Sequence, residues 1–187
     1  MSAVTEKIKM LCADRNMSVE ELASGAGLTV EQVNRILMND LIPSLAPLIK
    51  IARALGVRLG TFLDDSDEMG PVINRYSESQ QPISFTSHQT NNNSHMDFVS
   101  LAAKKASRNM EPFLITIQSG KGAESLSSHE GEEFLYVLEG SIVLHYGKNK
   151  YILNQGDSIY YDSIVDHLVT AKDNSVAKIL GVVYAPA

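Results

Sequence analysis

With one cysteine, Cys12, in 187 residues, the chain has no internal disulfide framework, and the expected compartment is the reducing cytoplasm. Long hydrophobic runs are missing too. None approaches the roughly 20 apolar residues that cross a bilayer, so no membrane attachment is expected. The opening residues MSAVTEKIKMLCADRN lack the apolar stretch and small-residue cleavage pattern of a secretory signal. Positive charge is scarce, with 16 Lys and Arg against 22 Asp and Glu and a net charge of −6. That balance excludes a protein that coats nucleic acid nonspecifically, while leaving room for a small DNA-reading element. What remains is ordinary for a globular chain: 44% apolar residues, 20% charged, and length enough for one large domain or two small ones.

The hydrophobic period divides the chain. Residues 1–65 read as four or five short helices. In VTEKIKMLCADRN, Val4, Ile8 and Leu11 fall at helical spacing. Ser18 caps a second helix, with Glu21 three residues on to complete a capping box, and Gly25 and Gly27 loosen or end it. Thr29 and Gln32 repeat the box and open a third helix, in which Val33 and Ile36 face inward with Leu22. Pro43 breaks the chain, and LAPLIKIARALG supplies another apolar-faced helix ending at Gly56. Residues 66–95 are rich in Ser, Asn and Gln and read as a linker, with PVINRY as an edge strand and QTNNN as a loop. In residues 96–187 the period shortens to two. EPFLITIQ, ESLSSH, EFLYVLE, SIVLHY, KYILN, SIYY, HLVTA and AKILGVVYA are separated by turn signals, so a sandwich or barrel is expected. The fold class is thus multidomain, α then all-β.

The β half holds one chemically suggestive stretch, SSHEGEEF. In an extended strand His129 and Glu133 would lie about 13 Å apart, too far to share an ion. A tight turn at Gly131 would fold the segment into a hairpin and set the two side chains face to face. His167, in GDSIYYDSIVDH, is the candidate third ligand of a two-His-one-carboxylate site for a divalent transition metal. Glu130 and Glu132 are expected in a solvated turn, and Tyr136, Tyr146, Tyr160 and Tyr161 as packing residues.

ELASGAGLTVEQVNRILMNDLIPSLAPLIKIARALGV resembles the Xre-type, lambda-repressor-like helix-turn-helix domain. The resemblance implies that the third helix enters the major groove, with Thr29, Glu31, Gln32, Asn34 and Arg35 as base or phosphate contacts. Val19 stands where the family often has a phosphate-gripping Gln, and Leu37 where a Glu is common. Residues 1–65 hold seven Lys and Arg against eight Asp and Glu. The β half resembles the cupin superfamily, a double-stranded β-helix or jelly-roll barrel. Glu133 and Gly140 have the spacing of its first motif and His129 takes the second histidine position, but Ser127 replaces the first histidine. Gly156 and His167 match the second motif, while Asp162 and Ile164 replace its Pro and Gly.

The order of head and barrel resembles a large bacterial regulator family. This implies a homodimer that binds operator DNA and takes a small-molecule effector at Ser127, His129, Glu133 and His167. The cofactor implied there is one divalent transition metal (iron, zinc, manganese or nickel) on His129, Glu133 and His167. On this reading the protein is not an enzyme. The alternative is a mononuclear non-haem iron oxygenase or epoxidase with a helix-turn-helix-like accessory domain. Hydroxypropylphosphonic acid epoxidase has that layout, and its His-x-x-x-Glu…His triad fits the same three residues. No cationic cluster for a phosphonate is evident in the sequence. A binding or storage cupin with a vestigial head is a third possibility.

Overall fold

The computed structural model describes residues 3–39, 44–63, 70–75, 83–86, 95–106, 108–118 and 126–186. Pro43 and QTNNN lie outside them. Five helices come first: α1 (Ala3–Asp14), α2 (Val19–Ala26), α3 (Val30–Asn39), α4 (Leu45–Ala54) and α5 (Gly60–Leu63). Both capping boxes form. Ser18 N–H donates to Glu21 Oε2 at 2.8 Å and Glu21 N–H to Ser18 Oγ at 3.1 Å. Thr29 N–H donates to Gln32 Oε1 at 2.8 Å and Gln32 N–H to Thr29 Oγ1 at 3.1 Å. Each box occupies two amide donors left free at a helix start, and a cap of this kind contributes about 1 kcal/mol. Gly27, at φ 60°, ends α2 in the left-handed conformation, so α3 can follow after only two more residues. Ile8, Leu22, Val33, Ile36, Leu48, Ile51, Leu55 and Phe62 close over one core. Leu37 is buried with them, so an apolar side chain suits this position.

The remaining elements are β1 (Ile83–Thr86), β2 (His95–Ser100), β3 (Met110–Gln118), β4 (Glu132–Glu139), β5 (Ser141–Tyr146), β6 (Asn149–Asn154), β7 (Ser158–Asp162), β8 (His167–Ala171) and β9 (Val176–Tyr184). They form a six-stranded sheet, β1-β2-β3-β9-β4-β7, and a three-stranded one, β6-β5-β8, with antiparallel pairing throughout. Alternation sets the inward face. Phe113, Ile115 and Ile117 of β3 are buried, as are Ala177, Ile179 and Val183 of β9. The last strand, β9, lies between β3 and β4, so the barrel closes only when the end of the chain is in place. Residues 71–75, the described part of PVINRY, form no strand. Among the described residues before β2, the strand is ISFT, which pairs with β2 as β1.

The chain at SSHEGEEF does not make the expected hairpin. Ser127 pairs with His167 beside β8, its N–H and C=O each bonded to His167 at 2.9 Å. From Glu132 onward the chain pairs instead with β7 and β9 of the other sheet. Gly131 is where the chain crosses from one sheet to the other. It has φ 118°, and a Cβ there would lie 2.0 Å from the Tyr184 carbonyl oxygen. Only glycine lets the crossing run this close to β9.

Candidate metal centre and nucleic-acid interface

The crossing delivers His129 to the barrel mouth, where its N–H bonds the Ser163 carbonyl at 3.0 Å. Glu133 follows from the start of β4, on the same inward face as Leu135 and Val137. His167 enters from the first residue of β8. One ligand atom from each of the three lies within 4.8 Å of the others. His129 Nε2 is 2.8 Å from Glu133 Oε1, and His167 Nε2 is 3.4 Å from the same oxygen. For bonds of about 2.1 Å, ligand atoms on one ion sit roughly 3.0–3.4 Å apart, so the His167 separation suits a shared metal, while the His129 one is a hydrogen-bond distance that an ion would widen slightly. Both histidines are 4% exposed.

The far side of each ring fixes its tautomer. His129 Nδ1–H donates to the Glu130 carbonyl at 3.0 Å and His167 Nδ1–H to the Val165 carbonyl at 2.8 Å. A carbonyl only accepts, so Nδ1 carries the proton and Nε2 of the neutral ring presents a lone pair inward. Two lone pairs then face a carboxylate oxygen, an arrangement that needs a cation among them, proton or metal. Burial would raise the Glu133 pKa, but the hydrogen bonds and charges of His129 and His167 more than offset it and hold the group ionised, far below the usual carboxylate range. Burial lowers His167, and its bond to Glu133 with that carboxylate's charge reverses the sign, leaving its pKa raised. The donor set, oriented from outside and ionised within, fits a divalent transition metal, which would supply Lewis-acid or redox chemistry when bound.

Two supporting residues were not anticipated. Tyr161 O–H donates to Glu133 Oε2 at 2.6 Å and Ser163 O–H to Oε1 at 3.2 Å. Tyr161 was expected only to pack. It is buried, and burial together with the Glu133 charge holds its pKa well above the phenol range, so it remains a donor. The signal was the YY pair, because strand alternation must send one tyrosine inward and one outward. Tyr161 is in register with Glu133, while Tyr160 turns out and bonds Glu132. The acids expected in a solvated turn are likewise both engaged: Glu132 accepts from Tyr160, and Glu130 pairs with Arg53 of α4. Ser127 is held beside His167 through its backbone.

On α3, Thr29, Glu31, Gln32 and Arg35 are exposed and Asn34 is half-buried. Thr29 and Gln32 are engaged in the capping box, and Arg35 pairs with Glu31 at 2.5 Å. An exposed pair one helical turn apart is weak enough to yield to a phosphate.

The model of the Cro/C1-type helix-turn-helix DNA-binding domain matches residues 7–68, and that of the cupin domain matches residues 113–183. The chain thus joins a Cro/C1-type helix-turn-helix DNA-binding domain to a cupin domain, and the curated proteins it is similar to are HTH-type transcriptional regulators. Among curated regulators it is similar to the HTH-type transcriptional regulator SutR of Escherichia coli (strain K12), at 26% identity over 86% of this chain and 83% of SutR. An HTH_3 family transcriptional regulator from Vibrio cholerae shares the fold, with a TM-score of 0.68 at 23% identity over 100% of this chain and 97% of that one. Iron(II) HppE in complex with substrate is similar at 26% identity and a TM-score of 0.52, over 97% of this chain and 98% of that one. The matched helix-turn-helix region contains α3. Among the described residues, no helix is long and apolar enough to cross a membrane.

Proposed function

We propose that this regulator binds operator DNA as a homodimer through Thr29, Glu31, Gln32, Asn34 and Arg35. Its cupin site, Ser127, His129, Glu133 and His167, takes a small-molecule effector, and the last three hold one divalent transition metal. The observation that carries the sensing half is the convergence of two backbone-oriented histidine Nε2 atoms on one buried carboxylate oxygen. Such a site can alter DNA affinity only if its occupant contacts two arrangements of the protein differently. Elemental analysis of chain purified without a His-tag or chelator should find metal close to one per chain. An electrophoretic shift on an operator fragment should then differ with and without chelator. In His167→Ala the metal should be absent and the shift the same in both lanes. Metal-free wild-type protein with a chelator-insensitive shift counts against the reading.

The enzymatic alternative is supported by one observation, the His129, Glu133 and His167 donor set in a chain 26% identical to iron(II) HppE. Consumption of dioxygen by the iron(II)-loaded chain, coupled to conversion of an organic acid, would establish it in place of the sensor.

A further inference from the structure

The head and the barrel flank an open cleft of about 370 Å³. This is within the range of metabolite pockets, toward the small end. One wall is the head: Lys50 and Arg53 on α4, and the end of α2 with its Gly27 cap, which leads into α3. The opposite wall is residues 128–130 at the barrel mouth, with Ile164 beside them. Lys50 is half-buried and has no ion-pair partner among the described residues. Arg53 has one, Glu130, and the pair is open to water, with 56% and 44% of the two side chains exposed. Ile164, largely exposed, supplies apolar surface to the cleft, and the buried Ile49 contributes an edge.

We infer that this cleft between head and barrel is a binding site for a small organic carboxylate, which takes Arg53 from Glu130 and is held jointly by Arg53 and Lys50. The two cations match an anion, the isoleucines match an apolar body, and the glycines leave room. A weak, exposed ion pair is an easy partner to displace, whereas a half-buried lysine without a counter-charge favours an incoming anion. Glu130 is also the residue whose carbonyl holds the His129 ring. A carboxylate in the cleft therefore touches both the loop that orients a metal-site histidine and the turn that precedes α3. Calling the ligand an effector rests on the proposed regulator reading; its binding does not.

The test is a titration of the full chain at constant ionic strength with acetate, butanoate, hexanoate and succinate, and with inorganic phosphate as a bare-charge control. Calorimetry and thermal melts give the affinities, and circular dichroism shows that each variant is folded. Saturable binding by the longer carboxylates is expected, and phosphate should be weaker. Arg53→Met and Lys50→Met should each weaken binding about tenfold. Glu130→Gln should tighten it about threefold, because it removes the competitor for Arg53; a residue that merely bridges head and barrel would not do so. Equal effects of phosphate and carboxylates would reduce the result to ionic screening and overturn the inference. So would binding that survives in Arg53→Met and Lys50→Met but disappears in His167→Ala. That outcome puts the carboxylate in the barrel and leaves the sensor reading standing. Absence of binding by every probe overturns the cleft alone, since metal content tests the barrel site separately.

Discussion

Glu133 concentrates four interactions on one carboxylate: His129, His167 and Ser163 on Oε1, and Tyr161 on Oε2. Its chemistry makes the metal-free protein sensitive to pH with a definite sign. The folded pKa of Glu133 is depressed from 4.5, so its contribution is present above about pH 4.5 and is lost as the pH falls toward the folded value. The folded pKa of His167 is raised from 6.5, so its contribution is full below about pH 6.5 and is lost as the pH rises through that raised value. Chelated protein should therefore be more stable at pH 5.5 than at pH 8. Metal binding displaces the shared protons, so zinc should stabilise more at pH 7.5 than at pH 5.5. Urea melts with EDTA and with zinc at each pH check both slopes.

At the scale of an element, the crossing segment 126–131 matters more than any strand. It pairs with β8 through Ser127 and delivers the chain to β4 through Gly131. Gly131→Ala combines a positive φ of 118° with a Cβ 2.0 Å from a backbone oxygen that cannot swing aside. The substitution should cost about 3 kcal/mol or more and displace His129 relative to Glu133. Denaturant melts would give the energy, and zinc affinity at fixed pH would report the displacement. This element was only half legible in the sequence. The glycine and the two ligands stood out, but the hairpin reading failed because the partner strand lies 40 residues further on, at His167. Local spacing carries no information about such a pairing. The helices differ in this respect: both capping boxes are contained in four consecutive residues, and both formed as read.

For the whole molecule, the net charge of −6 opposes the approach of DNA at long range. Binding then depends on a few local cations, of which Arg35 is partly neutralised by Glu31 on the same helix face. Glu31→Gln should free Arg35 for phosphate and raise operator affinity about threefold at low salt, with a steeper salt dependence. Fluorescence anisotropy across a salt series tests this; an unchanged slope would mean that Arg35 faces no phosphate. The same scale brings to the barrel mouth two basic residues that are distant from it in sequence. Lys50 and Arg53 lie roughly 80 residues before His129, yet α4 sets them against the barrel mouth.

By itself the sequence determined what depends on neighbours along the chain. This comprises the short helices of the first 65 residues with the capping boxes of α2 and α3, the change of period to alternating strands, the inward face of α3's core residues, and the residue types able to bind a metal. These follow from hydrogen bonds and side-chain periodicities that repeat within a few residues. Only the tertiary structure decided which groups share an oxygen atom, that Tyr161 and Ser163 support the carboxylate, that Gly131 crosses between sheets, and that α4 faces the metal loop. Each of these depends on strand register or on packing between distant segments. Both are set by the closure of β9 between β3 and β4, a pairing that no local pattern encodes.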